Sequence, residues 1–235
     1  MILPQLLRRF LRHRDDSVFY QMQAVDAIRW LESKGVASEG VRTALDLGCG
    51  HGVFGAELLA RGWKVTFADE SCWLHDAYRQ HPFLKINLDR DSLASLGQYD
   101  LVVCSNVLEH LAHPERLLER AHQLMNPKGF FYMSWTNWLS PWGGHEFSPL
   151  HYLGARAGPA LYDRLFSRKR FHQPFQNLFP TYIGAVLRTI DRNPHLRLKA
   201  MAPRYYTEFP WIMRLPGIRE FLAWNAALLT ERRDS

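Results

Sequence analysis

Apolar residues at Ile2, Leu3, Leu6, Leu7, Phe10 and Leu11 recur every three or four positions, with arginines mostly between them. That period predicts an amphipathic helix at the start of the chain, suited to cover a core or to lie on a membrane surface. A second helix is predicted over 18–34, closed by Gly35. From Thr43 onward short apolar runs alternate with helical ones. "TALDLG" reads as a strand, 51–60 as a helix, "WKVTFAD" as a strand and 71–79 as a short helix. "FLKINL" and "YDLVVCS" follow as strands, then a helix over 114–125 and a strand at "FFYMSW". Strands alternating with helices imply right-handed crossovers and a parallel sheet covered on both faces. After Trp135 the alternation lapses for roughly forty residues rich in Trp, Pro, Gly and His, longer than connections in compact domains usually run. It resumes with a helix over 181–191, a strand at "LRLKAMAP", a short helix near Ile218 and a last strand in "WNAALLTE". The interruption is read as a lid inserted after the fifth strand of a doubly wound α/β fold.

At 235 residues the chain fits one large α/β domain. Residues 1–40 are read as a helical cover, 43–135 as a ligand-binding core, 136–180 as the lid and 181–235 as completion of the sheet. The 29 Lys and Arg against 23 Asp and Glu cluster at Arg8, Arg9, Arg12 and Arg14 and again at Arg164, Arg168, Lys169 and Arg170. Such clusters suit an anionic surface, although a solvated face is the commoner meaning. The three cysteines, Cys49, Cys72 and Cys104, are odd in number and lack metal-ligand spacing, which argues against a disulfide framework or a zinc site and for a reducing, cytoplasmic setting. No uncharged apolar run reaches the ~18–20 residues of a membrane span. "MILPQLLRRFLRHR" lacks the order of a secretory signal.

"ALDLGCGHGVFGAEL" places Gly48, Gly50 and Gly52 where the first strand turns into a helix. Glycine permits the tight turn and the close approach of a ligand to the backbone. The spacing is Gly-x-Gly-x-Gly, and the pattern GxGxxG of a nicotinamide or flavin site would need a glycine where Val53 stands. Asp46, ahead of the loop, suits a cationic ligand group. Asp69 ends the second strand about twenty residues on, where a carboxylate accepts hydrogen bonds from a ribose diol.

In order and spacing, "LDLGCGHG", "VTFADES", "YDLVVCSNVLEHL" and "LMNPKGFFYMSW" resemble the motifs of class I S-adenosylmethionine-dependent methyltransferases. The resemblance spans about 43–135. It implies a Rossmann-like sheet of seven strands, the last antiparallel, with S-adenosylmethionine as cofactor. Carried over, it sets Asp46, Gly48, Gly50 and Gly52 beside the methionine part and Asp69 on the ribose. Asn87 or Asp89 meets the adenine, and Ser105 and Asn106 face the methionine and the methyl group. The Glu-His pair of "VLEHL" belongs to the same resemblance, and His110 is either a structural cap or a site residue.

Methyl transfer needs an aligned nucleophile and exclusion of water, and a hydroxyl acceptor also benefits from a base. "SPWGGHEFSPLHYLGAR" follows the fifth strand, on the side where open α/β sheets bind ligands. There His145 is the candidate base and Glu146 its orienting partner or a sugar contact. Trp138, Trp142 and Tyr152 form an aromatic platform, with His151 also within reach of the acceptor. The alternative is a packed lid whose histidines satisfy backbone groups. His145, Glu146 and His151 do not have the HExxH spacing of a zinc helix, and no metal is expected.

Segments beyond Ser140 also look like bacterial, including actinobacterial, methyltransferases associated with envelope glycans or lipids. The expected acceptor is therefore a hydroxyl-bearing small molecule, glycan or lipid-linked saccharide. The aromatic cluster Tyr205, Tyr206, Phe209, Trp211, Ile212 and Met213, with the basic first helix, allows peripheral contact with the inner face of the membrane. A small aromatic or quinone-like acceptor is the enzymatic alternative, and a non-catalytic cofactor-binding subunit the other. "SNVLEHL" lacks the Asn/Asp-Pro-Pro-aromatic motif of base-modifying enzymes, so nucleic acid is not an expected partner.

Overall fold

The computed structural model describes residues 1–13, 16–36, 42–166 and 169–233. Arg14 and Arg168, two members of the basic clusters, lie outside the described residues. Two helices, α1 (Leu3–His13) and α2 (Ser17–Ser33), precede the sheet. Asp16 joins them: its carboxylate caps α2 by accepting from the Phe19 N–H at 2.9 Å, and it pairs with Arg9 of α1. A second basic residue is also paired, since Arg170 makes a two-pronged bond to Asp163. Both pairs blunt the basic clusters.

Seven strands follow: β1 (Thr43–Leu47), β2 (Lys64–Asp69), β3 (Phe83–Lys85), β4 (Tyr99–Ser105), β5 (Met125–Thr136), β6 (Leu196–Pro203) and β7 (Asn225–Arg232). Their order is β3-β2-β1-β4-β5-β7-β6, with β7 antiparallel to both neighbours. This is the Rossmann-like sheet with an antiparallel last strand that the resemblance implies. The central strands read as continuous apolar runs because helices cover both faces: Leu101, Val102, Val103 and Cys104 of β4 are all buried. One face packs on α2 and on α3 (Val53–Leu59). The other packs on α4 (Pro114–Arg120) and, after α5 (Ala157–Leu165) in the lid, on α6 (Ile183–Arg192). A short α7 (Ile218–Leu222) precedes β7.

Three predicted elements come out differently. The helix over 71–79 is only a 3-10 turn at Asp76–Tyr78. The segment before it is extended, held by His51 Nδ1 at 2.9 Å from the Trp73 carbonyl, and buries Leu74 against Gly52. β3 stops at Lys85 because Asn87 starts a turn: its side-chain oxygen accepts from the Asp89 N–H and its own N–H donates to Asp91. The helix over 114–125 ends at Arg120, continues as a 3-10 turn Ala121–Leu124, and Met125 already belongs to β5. Among the described residues no helix is long and apolar enough to cross a membrane.

Candidate active site

The carboxyl ends of β1, β2 and β4 and the turn after β3 share one edge of the sheet. At the end of β1 the chain turns through Gly48, with φ +71°, where a Cβ would fall 2.4 Å from Val107 Cγ2. The glycine loop therefore abuts the turn after β4 so closely that only glycine fits. Gly50, at φ +49°, has no atom within 4 Å of the place a Cβ would occupy, so this stretch of backbone is open to a ligand. Asp69 is set from behind: its Oδ2 accepts from the Gly50 N–H at 2.9 Å and its Oδ1 from the Glu70 N–H at 2.8 Å. A half-buried glycine backbone without side chains, with an oriented carboxylate at the next strand end, fits a nucleoside with a ribose diol.

Asp46 is engaged within the fold. It is buried and accepts from the Gly55 N–H in the first turn of α3 at 2.8 Å. Burial pushes its carboxyl up to about 7, although the Gly55 bond works the other way. The two candidates for the adenine separate as well. Both oxygens of Asp89 accept backbone N–H groups, from Ala112 at 3.2 Å and His113 at 3.1 Å, ahead of α4. The Asn87 amide reaches toward Glu70 at 3.5 Å, beside Asp69, and is the better-placed of the pair.

At the end of β4, Ser105 accepts from the Ser134 hydroxyl at 3.2 Å. Asn106 adopts the left-handed conformation, φ +57°, and its side-chain oxygen accepts from Arg204 Nη1 and Asn225 Nδ2, each at 3.0 Å. Arg204 is buried, also donates to the Ser134 hydroxyl at 2.9 Å, and has no carboxylate within ion-pair distance among the described residues. Glu109, on the same turn, is buried; its Oε1 accepts from the Thr136 N–H at 2.9 Å while its Oε2 has no partner. Arg204, Asn225 and the individual importance of Glu109 escape a reading of the sequence, since each belongs to no motif on its own segment.

Beside this polar group an apolar cavity of about 50 Å³ lies under α1, lined among others by Leu6, Phe10, Thr136, Trp142, Tyr205 and Trp224. Trp142 stacks on Trp224 at 5.3 Å and 14°. Of the expected platform only Trp142 is here. Trp138 packs on Phe147 and His151 in a small core of the lid, and the exposed Tyr152 donates its hydroxyl to the Leu139 carbonyl. His151 is fully buried, its Nε2 3.0 Å from the Ser140 carbonyl, and belongs to that lid core, not to an acceptor surface.

The other two lid residues, His145 and Glu146, come together with His110 around a residue that no motif announces, His172. The His145 and His172 rings lie 4.1 Å apart, and His110 stands 5.5 Å from His172 and 5.8 Å from His145. Glu146 accepts from His172 Nδ1 at 2.7 Å. His145 adopts φ +48°, a conformation uncommon outside glycine. Burial, then the three neighbouring histidines, lower His145 to about 3, so it is a weak base at neutral pH.

A family model described as a methyltransferase domain matches residues 8–179. An uncharacterized methyltransferase of Mycobacteroides abscessus is 32% identical, over 92% of this chain and 87% of its own length. One of Mycobacterium marinum is 30% identical, over 97% and 93%. The chain belongs to the methyltransferase-domain family, within the class I S-adenosylmethionine-dependent superfamily, and is an enzyme of that kind. Among solved structures it shares its fold with an S-adenosylmethionine-dependent methyltransferase from Mesorhizobium loti, with TM-score 0.59, 17% identity, and 88% of this chain and 98% of the other covered. Magnesium protoporphyrin IX methyltransferase from Synechocystis, solved with S-adenosylhomocysteine, gives TM-score 0.56 and 15% identity, over 91% and 84%.

Proposed function

We propose that the enzyme methylates a hydroxyl group of a saccharide, lipid-linked saccharide or similar compound whose apolar portion lies in the cavity under α1. The observation that carries this reading is Glu109 Oε2, a buried carboxylate oxygen without a partner beside Thr136 of the cavity wall. An oxygen that can only accept is expensive to bury alone, and an O–H donor from the acceptor meets its need. S-adenosylmethionine supplies a methyl group already activated by its sulfonium. The chain's own work is to bind, orient and dry the site. The glycine loop and Asp69 hold the cofactor, with Asn87 toward the adenine. Asn106, fixed by Arg204 and Asn225, borders the reacting end. Glu109 orients the acceptor hydroxyl, and α1 with Trp142 and Trp224 excludes water.

Trp211, Ile218, Phe221 and Leu222 are exposed on the segment leading into β7, next to the exposed Arg214. An apolar surface with a cation beside it supports work in the cytoplasm against the inner face of the membrane, where a lipid-linked acceptor resides. The flat stack of Trp142 on Trp224 favours a second reading, a small aromatic acceptor.

The test gives methyl-labelled cofactor and host extract, separated into lipid-plus-glycan and small-molecule fractions, to wild type and Glu109→Gln. Label in the lipid-plus-glycan fraction that falls about 100-fold in the variant, with cofactor affinity retained, supports the proposal. Label confined to small aromatic molecules replaces it with the second reading.

A further inference from the structure

We propose that His110, His145 and His172 form a binding site for a divalent transition-metal ion that fastens the lid to the turn after β4. One ring nitrogen from each of the three lies within 4.8 Å of the others. They come from three segments far apart in sequence: the 3-10 turn Leu108–His110, the turn His145–Phe147 and the loop after α5. Two of the rings have fixed tautomers. His110 Nδ1 is 2.7 Å from the Asn177 carbonyl, which can only accept, so Nδ1 carries the proton and Nε2 keeps its lone pair. His172 Nδ1 is 2.7 Å from Glu146 Oε2, with the same consequence. His145 Nε2 is buried and has no protein partner. A buried ring nitrogen without a partner beside two imidazoles with free lone pairs is a set of donors awaiting a cation.

The surroundings suit a metal in a second way. Ligating histidines ordinarily donate their other N–H to a carboxylate or a backbone carbonyl, which fixes the ring and raises its basicity. Glu146 and the Asn177 carbonyl hold those positions for His172 and His110. Three imidazoles without a thiolate select zinc, cobalt or nickel over calcium or magnesium. Zn–N bonds of about 2.0–2.1 Å bring tetrahedral ligand atoms to ~3.4 Å apart, so each pair of ring nitrogens closes by at most about 1.4 Å on binding. All three histidines are only half-buried, which leaves an ion a way in and a fourth coordination position open. The backbone already joins the same pieces: the Phe179 N–H donates to the Glu109 carbonyl at 2.7 Å, one residue before His110. A bound ion would lock that junction from the lid side. This inference goes beyond the proposed acceptor and stands whichever acceptor is used.

The experiment takes the full chain, stripped with chelator, and titrates it with Zn²⁺ and separately with Co²⁺, following heat, thermal midpoint and the visible Co²⁺ spectrum. The expected result is one ion per chain, a raised midpoint and the intense visible bands of tetrahedral Co²⁺. His172→Ala and His110→Ala each weaken binding by about 100-fold, and Glu146→Gln by about 10-fold. His122→Ala serves as the control: it belongs to a stacked pair with His195, ring centroids 4.2 Å apart, outside the cluster, and leaves binding unchanged. Should His145→Ala fail to fold, the other two variants carry the test. No uptake by wild type, or uptake indifferent to both His172→Ala and His110→Ala, overturns the proposal and leaves three histidines that merely pack the lid.

Discussion

The glycine loop and the lid meet at the same edge of one sheet but are assembled by different means. The loop is made of backbone: glycines that let chain approach chain, and one carboxylate set by the N–H groups of Gly50 and Glu70. The lid side is made of side chains delivered from far apart. Arg204 reaches Asn106 across 98 positions, Asn225 reaches it across 119, and His172 meets Glu146 across 26. A backbone device tolerates little change at the residues that form it, whereas a side-chain assembly can be altered piecemeal. Cofactor affinity should therefore be concentrated in a few residues, and acceptor selectivity spread over many.

The harshest way to break this contrast is Gly48→Val. A side chain there meets Val107 at 2.4 Å in a backbone conformation that L residues rarely adopt. S-adenosylmethionine binding by calorimetry should fall about 1000-fold, a loss on the scale of the larger packing and strain effects. Next is Asp69→Ala, which removes a charged acceptor from the ribose and should weaken binding by about 30- to 100-fold, as charge-assisted hydrogen bonds do. A smaller effect sharpens the map. Asn87→Ala should cost about tenfold in cofactor affinity, with a small drop in the urea midpoint, up to about 1 kcal/mol, for the lost Asp89 N–H bond. Asp89→Ala should keep affinity and lose about 1–2 kcal/mol of stability, because it caps the Ala112 and His113 N–H groups. The reverse pattern would reassign the adenine contact to Asp89. On the other side, Trp142→Ala should change cofactor affinity by less than about twofold, since Trp142 lines the cavity under α1 and not the glycine loop.

A pH effect is expected without cofactor. Burial raises Asp46 in the folded chain to about 7, above its unfolded value, so between about pH 4 and pH 7 the folded state holds the extra proton. Stability should then decline as pH rises through that window, and Asp46→Asn, which keeps an acceptor for the Gly55 N–H, should flatten the decline in urea titrations. An identical slope in the variant would place the titrating group elsewhere.

The same contrast explains what was legible in the sequence. Contiguous motifs carry the loop, so Gly48, Gly50 and Asp69 and nearly every strand could be named from spacing. The antiparallel last strand followed from a resemblance. The loss of a helix over 71–75 could not be foreseen, because the pull on Leu74 comes from Gly52 and the pull on Trp73 from His51, contacts absent from local periodicity. In the lid the fold regroups the residues that the sequence sets side by side. His145 and Glu146 stand beside His151 in the chain, but a turn buries His151 behind Trp138 and brings in His172, a histidine in "KRFHQ" that no pattern distinguishes. Glu109 was visible as part of a Glu-His pair, though the bond that fixes its Oε1, and so leaves Oε2 unpartnered, comes from Thr136, 27 positions away.

Because β7 runs against its neighbours, Asn225 lies opposite Thr136 and Pro203 opposite Ala226. Both ends of the 204–224 segment therefore attach at the edge where β5 delivers the lid. Each of these two pieces leaves the sheet and returns to the same rim, like a handle riveted at both ends to one side of a vessel. Exposed positions on them, such as Leu153 and Trp211, can vary without shifting a strand, whereas Arg204, Tyr206 and Met213 are buried and hold the segment to the sheet. For an engineer this makes the exposed faces of residues 137–182 and 205–224 natural places for variation, and it lets one sheet present many different surfaces at a single rim.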